Sequence, residues 1–494
     1  VSETVTFKLN GKDVSVPKGW TVMKAAAKEG VEIPHFCYHE GLSIAGVCRF
    51  CMVKVEGRPK LEIACNLQAT EGMVVSTTED EVKEAHKWAL EFHLINHPLD
   101  CPICDQAGEC SLQDYYMSVG KYESEMTRPK VLKPKALDVG DQLVLDTERC
   151  ILCSRCVRFE EEITKTDALG IFNRGDRATI GTYPDKRLEH NYQTNLVDIC
   201  PVGAFTSKDF RFKQRVWFLK DKKAICPGCS TGCEVDVYGK PEDSHYYRIK
   251  PRHSEVNGHW MCDKGRYYYD HMNPVGRLRK AISGIEGSRK FVDTDEAIAD
   301  LARKISNSSV SDMALLVSPQ YTNEEYAALL EFFVTQMGVK NVYQWREPTE
   351  STEDFDGILY RGDHNANTAG LAAALKAVGL ENNIENQFDD LAKSGAKLVV
   401  ALAPELSSTY PSLKEQINKL EELPFVSMWT IDGKVFEYPG INHAIPMKGF
   451  AEKKGSFIGH SGVRKLEQPF PAGNEHARDL VETVEALTKV MAHL

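Results

Sequence analysis

The sequence predicts a multi-domain chain, α+β in its first half and α/β in its second, and three observations carry that prediction. Its 494 residues exceed what one hydrophobic core ordinarily organises, so about two to four domains are expected. All fifteen cysteines lie between Cys37 and Cys262, among short strand, turn and helix patterns. The thiol-free remainder alternates continuous apolar runs with amphipathic stretches, the order of an open sheet flanked by helices.

Composition excludes several classes of function. A net charge of −11 argues against nucleic acid, whose binders present basic faces. No run approaches the ~18 apolar residues of a membrane span, and LVVALA at 398–403 reads as a buried strand. The opening VSETVTFKLNG alternates like a strand and lacks basic and apolar leader regions, so no signal peptide is expected. Neither GxGxxG nor GxxxxGKS/T occurs, so no nucleotide site is expected.

Residues 1–78 suit a small β-grasp domain. A hairpin turns at Asn10-Gly11, TVMKAAAKEG is a helix closed by Gly30, and CMVKVEG and GMVVSTT are strands. Cys37-x10-Cys48-x2-Cys51-x13-Cys65 is a loop-borne quartet that departs from the plant-type ferredoxin spacing. Gly41 and Gly46 would let backbone N–H groups approach inorganic sulfide there.

Residues 79–120 read as a helix, EDEVKEAHKWALEFHLIN, that Pro98 stops at His97, followed by a cysteine loop. The loop is His97-x3-Cys101-x2-Cys104-x5-Cys110, which alone divides evenly between an iron–sulfur site and a Cys₃His zinc site. His86 and His93 share the helical face but read as surface or packing residues, because three thiols need only one nitrogen. In residues 121–219, Cys150-x2-Cys153-x2-Cys156 with a distant Cys200-Pro201 is the bacterial ferredoxin signature of a 4Fe–4S cluster. Arg149, Arg155 and Arg158 read first as solvated surface cations, although cations so near would favour a reduced, more negative cluster. Residues 220–277 carry Cys226-x2-Cys229-x3-Cys233-x28-Cys262, open to iron–sulfur or zinc.

Residues 278–494 form the α/β part. MALLVS, GILYRG, AKLVVALAP and PFVSMW read as buried parallel strands, while DEAIADLARKI, NEEYAALLEFFVTQMG and YPSLKEQINKLEEL read as amphipathic helices. Asp363, His364 and Asn365 read as a polar turn, and no catalytic residue is expected.

Cysteine arithmetic joins these segments. An odd count cannot pair completely as disulfides. The thiols fall into three sets of four and one set of three, and His97 completes the short set, leaving four tetradentate sites with no thiol unused.

With these groups in view, the chain resembles the large iron–sulfur subunit of respiratory NADH:quinone oxidoreductase, complex I, in a short bacterial form. The strings that carry the resemblance are GVCRFCMVKVEG, HPLDCPICDQAGECSLQD, RCILCSRCVRFEEEI, DICPVGAFTSK and CPGCSTGCEV. The C-terminal part is similar to molybdopterin oxidoreductases through HMNPVGRLRKAI and DGILYRGDHNANTAG. No cysteine remains there to hold molybdenum, which implies a truncated domain without that cofactor. The resemblance implies a 2Fe–2S cluster on Cys37, Cys48, Cys51 and Cys65. It implies one 4Fe–4S cluster on His97, Cys101, Cys104 and Cys110, and a second on Cys150, Cys153, Cys156 and Cys200. A third, kept by some bacterial members off the main path, would lie on Cys226, Cys229, Cys233 and Cys262.

The expected role is therefore an electron relay within an oxidoreductase, with no NADH site of its own. The implied partners are an NADH/FMN-binding flavoprotein with its small 2Fe–2S companion, and a ferredoxin-like 4Fe–4S subunit with the quinone-module subunits. The implied location is peripheral, on the cytoplasmic side of a bacterial inner membrane that the chain meets only through partners. Two rivals stand beside it: an electron-transfer module of a cytoplasmic NAD-linked formate dehydrogenase or hydrogenase, and a zinc-stabilised scaffold without redox function.

Overall fold

The alternation in TVTFKL and KDVSVP produces the expected hairpin, Thr4–Leu9 against Lys12–Pro17, in the computed structural model. Its turn places Asn10 at φ 50° and Gly11 at φ 82°, the left-handed pair that a tight two-residue connection requires. The structure describes residues 3–494 except Tyr122, 241–244, Pro274, 285–287, 346–353, 384–386, Ala392, 404–410 and Gln468. Two units are distinguished, Val1–Trp217 and Phe218–Leu494.

In the first unit the hairpin joins a five-stranded mixed sheet, ordered Lys12–Pro17, Thr4–Leu9, Val74–Ser76, Met52–Val55, Glu62–Ile63. Helix Val22–Lys28, whose N-cap Thr21 accepts from Lys24 N–H, buries Val22, Met23, Ala25 and Ala26. Phe7, Val16, Val53 and Val75 belong to the same core. Helix Asp80–Leu94 packs on this domain through His86, whose Nε2–H donates to Met52 O at 2.9 Å. His93 packs against Phe36, and Tyr115 from helix Ser111–Val119 packs against Phe36 and Phe50. Both histidines are packing residues, as expected.

The helix ends earlier than Pro98 alone implied. Ile95 is its C-cap, and Lys130 Nζ donates to Leu94 O and Ile95 O at 2.8 and 2.9 Å. An ammonium on the last carbonyls satisfies acceptors that a further turn would otherwise have used. His97 therefore lies in the loop rather than in the last helical turn.

The second unit opens with a three-stranded antiparallel sheet, Lys220–Ile225, Glu234–Lys240 and His245–Pro251. Its main sheet has seven strands, in the order Lys290–Val292, Ala281–Ser283, His443–Pro446, Val426–Thr430, Leu398–Leu402, Met313–Val317, Val342–Gln344. The last five named run parallel to one another. Side chains along the central strands divide between two cores. Met313, Leu315, Val317, Leu398, Val400 and Leu402 join one, while Ala314, Leu316, Val399 and Ala401 join the other. That division is the period-2 consequence of a sheet covered on both faces. Helices Thr294–Ser306, Asn323–Leu330 and Leu480–Met491 supply the first core; Phe388, Leu391, Ile417 and Leu420 supply the second.

GILYRG is not a strand. Asp356 Oδ1 accepts from the N–H groups of Ile358, Leu359 and Tyr360 at 2.9–3.1 Å, and Gly357 adopts φ 85°. A carboxylate collecting successive amides closes a turn and leaves no extended ladder. No described helix is long and apolar enough to cross a membrane.

Candidate metal centres

None of the fifteen cysteines forms a disulfide, and all but Cys101, Cys150 and Cys200 are buried. Among the described residues, no three His, Cys, Asp or Glu side chains converge so as to hold a single metal ion. A polynuclear cluster asks for another arrangement, its ligands spread around a cage of irons, one to each iron in a 4Fe–4S cluster and two to each in a 2Fe–2S cluster.

Cys37, Cys48, Cys51 and Cys65 stand as two hydrogen-bonded thiol pairs, Cys48 with Cys37 and Cys51 with Cys65. The Cys48 thiol, joined by the Cys48 and Val47 amides and the Arg158 charge, stabilises the Cys37 thiolate and brings it down to about 5 despite burial. The Cys51 thiol likewise lowers Cys65, while Cys48 and Cys51 are pushed up. Gly46, at φ 65°, turns the loop just before the Val47 and Cys48 amides. The Gly41 amide instead donates to His39 Nδ1 at 3.1 Å, so of the two glycines only Gly46 borders amides turned towards sulfur.

His97, Cys101, Cys104 and Cys110 line one cavity of about 740 Å³, together with Arg149 and Gly203. Burial first, then the Lys130 and Arg149 charges, push His97 down to about 4, so its ring is neutral at physiological pH as a metal ligand must be. Its Nδ1 is buried with no hydrogen-bond partner in the protein, and such an orphaned nitrogen fits a ligand waiting for its metal. Burial raises Cys104, and Cys110 to about 11.

Cys150, Cys153 and Cys156 are wound together by two left-handed residues, Leu152 at φ 56° and Ser154 at φ 62°, before the short helix Arg155–Phe159. Cys200 caps helix Asn195–Ile199. Burial and mutual repulsion raise Cys150 to about 12 and Cys153 to about 11, and raise Cys156 well above its ordinary value, with Cys200 acting on all three. Thiols that repel one another when ionised are a donor set that cationic iron would relieve.

In the second unit, Cys226 N–H donates to Cys233 O at 2.9 Å, and Cys262 Sγ accepts from Gly265 N–H at 3.4 Å. Burial, then the neighbouring thiols, raise Cys233 and Cys262 well above the ordinary value. A Cβ on Gly265 would lie 2.7 Å from Cys226 Sγ, and one on Gly203 would lie 2.1 Å from Cys104 Sγ. Neither glycine stands out in the sequence, yet both follow a cysteine at the spacing C-x2-G, Cys200 to Gly203 and Cys262 to Gly265.

The arginines correct the surface reading. Arg149 and Arg158 are buried. Arg149 pairs with Asp100 at 2.9 Å and Asp146 at 3.4 Å. Arg155 donates to Ile199 O at 2.9 Å and Tyr38 O at 2.5 Å, and Arg158 to Cys37 O at 2.5 Å and to Ser43 O. Main-chain carbonyls of a distant loop, absent from any local pattern, draw these cations inward. Asp363 and His364 are buried too, and Asp363 Oδ1 accepts from Asn365 N–H and Thr368 Oγ1, closing a polar turn.

Comparison with known families divides the chain along the same groups. A 2Fe–2S iron–sulfur cluster binding domain matches residues 2–80. The NADH-ubiquinone oxidoreductase-G iron–sulfur binding region matches 87–125, and the ferredoxin-like domain of NADH-quinone oxidoreductase subunit 3 matches 140–206. A molybdopterin oxidoreductase Fe4S4 domain matches 219–274. The fold and these sites define an iron–sulfur protein built from 2Fe–2S and 4Fe–4S binding domains. The NADH-quinone oxidoreductase G subunit of Rickettsia bellii is 34% identical over 85% of this chain and 62% of its own length. That of Streptomyces coelicolor is 34% identical over 72% of this chain and 42% of its own. The mitochondrial NADH dehydrogenase (ubiquinone) iron–sulfur protein 1 of Solanum tuberosum is 37% identical over 69% of this chain and 46% of its own. The chain is thus homologous, over most of its length, to NADH-quinone oxidoreductase G subunits. It spans between 42% and 62% of the length of these three relatives. A crystal structure of an NAD+-reducing NiFe hydrogenase in the H2-reduced state matches 43% of the chain, and 91% of its own, at 28% identity with a TM-score of 0.38.

Proposed function

We propose that this chain relays single electrons within an NADH:quinone oxidoreductase, between an NADH/FMN-binding partner and a ferredoxin-like partner near the quinone site. Its ligand sets are Cys37/Cys48/Cys51/Cys65 for a 2Fe–2S cluster and the three remaining tetrads for 4Fe–4S clusters. When bound, such clusters take up and release one electron at a time without making or breaking a substrate bond. The chain's own residues hold the clusters, exclude water from them and set their surroundings.

The observation that carries this reading is how the Cys150 group is tied to both other groups of its unit. Arg155 and Arg158 bond the carbonyls of Tyr38 and Cys37. On the other side, Cys110 Sγ and Ser111 N–H both donate to Pro201 O, at 3.8 and 3.1 Å, and Gly203 lies against Cys104. We therefore take the path to run from the Cys37 group through the Cys150 group to the His97 group, an order that differs from the order in sequence. A relay needs its centres adjoining, and the contacts of the Cys150 group with both others support that reading. The Cys226 group belongs to the other unit, and we assign it a 4Fe–4S cluster off that path. The proposed location is peripheral, on the cytoplasmic face of a bacterial inner membrane. The proposed domains are 1–78, 79–120, 121–219, 220–277 and 278–494, the last a cofactor-free packing domain. Iron and acid-labile sulfide analysis with EPR during stepwise reduction tests the reading. About 14 irons per chain are expected, and a colourless protein holding only zinc overturns it.

A further inference from the structure

The two linking arginines differ from their neighbour in what balances their charge. Arg149 is met by Asp100 and Asp146. Arg155 spends its terminal nitrogens on the neutral carbonyls of Ile199 and Tyr38. The sulfurs that would carry negative charge beside it as cluster ligands are those of Cys153, Cys200 and Cys37, drawn from two different ligand sets. Its Nε is buried with no hydrogen-bond partner in the protein, a donor left for something bound. Arg158 extends the same arrangement: Nε donates to Ser154 Oγ at 3.3 Å, and its terminal nitrogens to the carbonyls of Cys37 and Ser43. Its charge bears on Cys37 and on Cys153.

Resting on the relay reading, we propose that Arg155, with Arg158 beside it, is a shared cation that raises the reduction potentials of the Cys37 and Cys150 centres together. The physics is simple. Reduction adds one negative charge to a cluster, and a fixed guanidinium in a water-poor setting stabilises that form. A cation serving one centre would widen or narrow the step between neighbours. A cation serving both shifts the pair while nearly preserving the step, so forward transfer stays close to balanced. Carbonyl ligation holds the guanidinium in place without neutralising it, which a carboxylate would do. Arginine suits this role because its charge persists when buried.

The test is an EPR-monitored redox titration of the full chain with its clusters in place, for the wild type, Arg155→Gln and Arg155→Lys. In Arg155→Gln both midpoints should fall together, by about the 59 mV that marks a tenfold change in a one-electron equilibrium. The His97-group midpoint should move less, and Arg155→Lys should recover most of the shift. Arg158→Gln should give the same paired fall and decides the matter if Arg155→Gln does not retain both clusters. Midpoints that stay put, a fall at one centre alone, or Lys behaving like Gln would each overturn the shared-cation role. Clusters missing from the wild type would instead defeat the relay reading itself.

Discussion

Two histidines, one in each unit, show how differently the halves of this molecule are built. His97 and His443 are both pushed down to about 4, chiefly by burial. His443 is satisfied by protein at both ring nitrogens. Its Nε2–H donates to Ala297 O at 2.9 Å, which fixes the tautomer, so Nδ1 accepts from the Ser427 hydroxyl at 2.8 Å. Ser427 in turn accepts from Trp429 Nε1–H. His97 has a buried Nδ1 with no protein partner. One ring completes an apolar sheet; the other is left open towards a cavity lined by thiols. The second unit packs its main sheet between two apolar cores and holds one thiol set, whereas the first has an apolar core around its β-grasp sheet and carries the other three sets among loops and short helices.

Iron removal should expose that contrast most strongly. Metal-binding free energy is folding free energy where the ligand set cannot satisfy itself. Chelation should abolish hydrogen-exchange protection across Cys37–Cys200 while strands Met313–Val317, Leu398–Leu402 and Val426–Thr430 stay protected. Equal loss in both units would erase the distinction. Next in size are the two close-approach glycines. Gly203→Ala drives a methyl into Cys104 Sγ and Gly265→Ala into Cys226 Sγ. Each should cost one cluster, about four irons, and EPR should assign the loss to the His97 group for the first and the Cys226 group for the second. The wrong group disappearing, or none, would separate the glycines from the sites.

Most candidate ligands were legible because their signal is local: cysteines three or four residues apart, such as Cys150, Cys153 and Cys156, write their geometry into the chain. Three of the five parallel strands, Met313–Val317, Leu398–Leu402 and Val426–Thr430, were legible for a similar reason, since a strand covered on both faces reads as an unbroken apolar run, whereas the short Val342–Gln344 and His443–Pro446 were not. What escaped depends on partners far along the sequence. Arg155 and Arg158 reach carbonyls more than a hundred residues away, so no window around RCILCSRCVRF reveals that they turn inward. Gly203 meets a thiol from another group. GILYRG has a strand's composition, but a single aspartate at its head redirects its amides. Each is a case of tertiary hydrogen bonding or contact overriding local pattern.

Within the second unit, His443 makes stability depend on pH. The folded pKa of His443, about 4, lies below its ordinary 6.5, so the unfolded chain binds the additional proton between those values. Stability is therefore intact above 6.5 and falls as pH drops towards 4, by at most about 3 kcal/mol. Urea midpoints of the second unit between about pH 7 and pH 4 should decline in the wild type and flatten in His443→Gln. A decline that persists in the variant would assign it to other groups.

The smallest effect comes from His97, and it should appear in potential rather than stability. His97→Cys replaces a neutral ligand with a thiolate, adding one negative charge to that centre. The added charge disfavours the reduced state, so the midpoint should fall while the iron content holds. Lys130 and Arg149, whose charges already disfavour protonation of the ring, would partly offset the new charge. The fall should therefore be less than a bare charge at that distance implies. His443→Gln should leave every midpoint where it was, because that ring is fully occupied by Ala297 and Ser427. A redox titration in which His97→Cys changes nothing would mean that the imidazole is not a ligand, and the two histidines would then differ only in their hydrogen bonds.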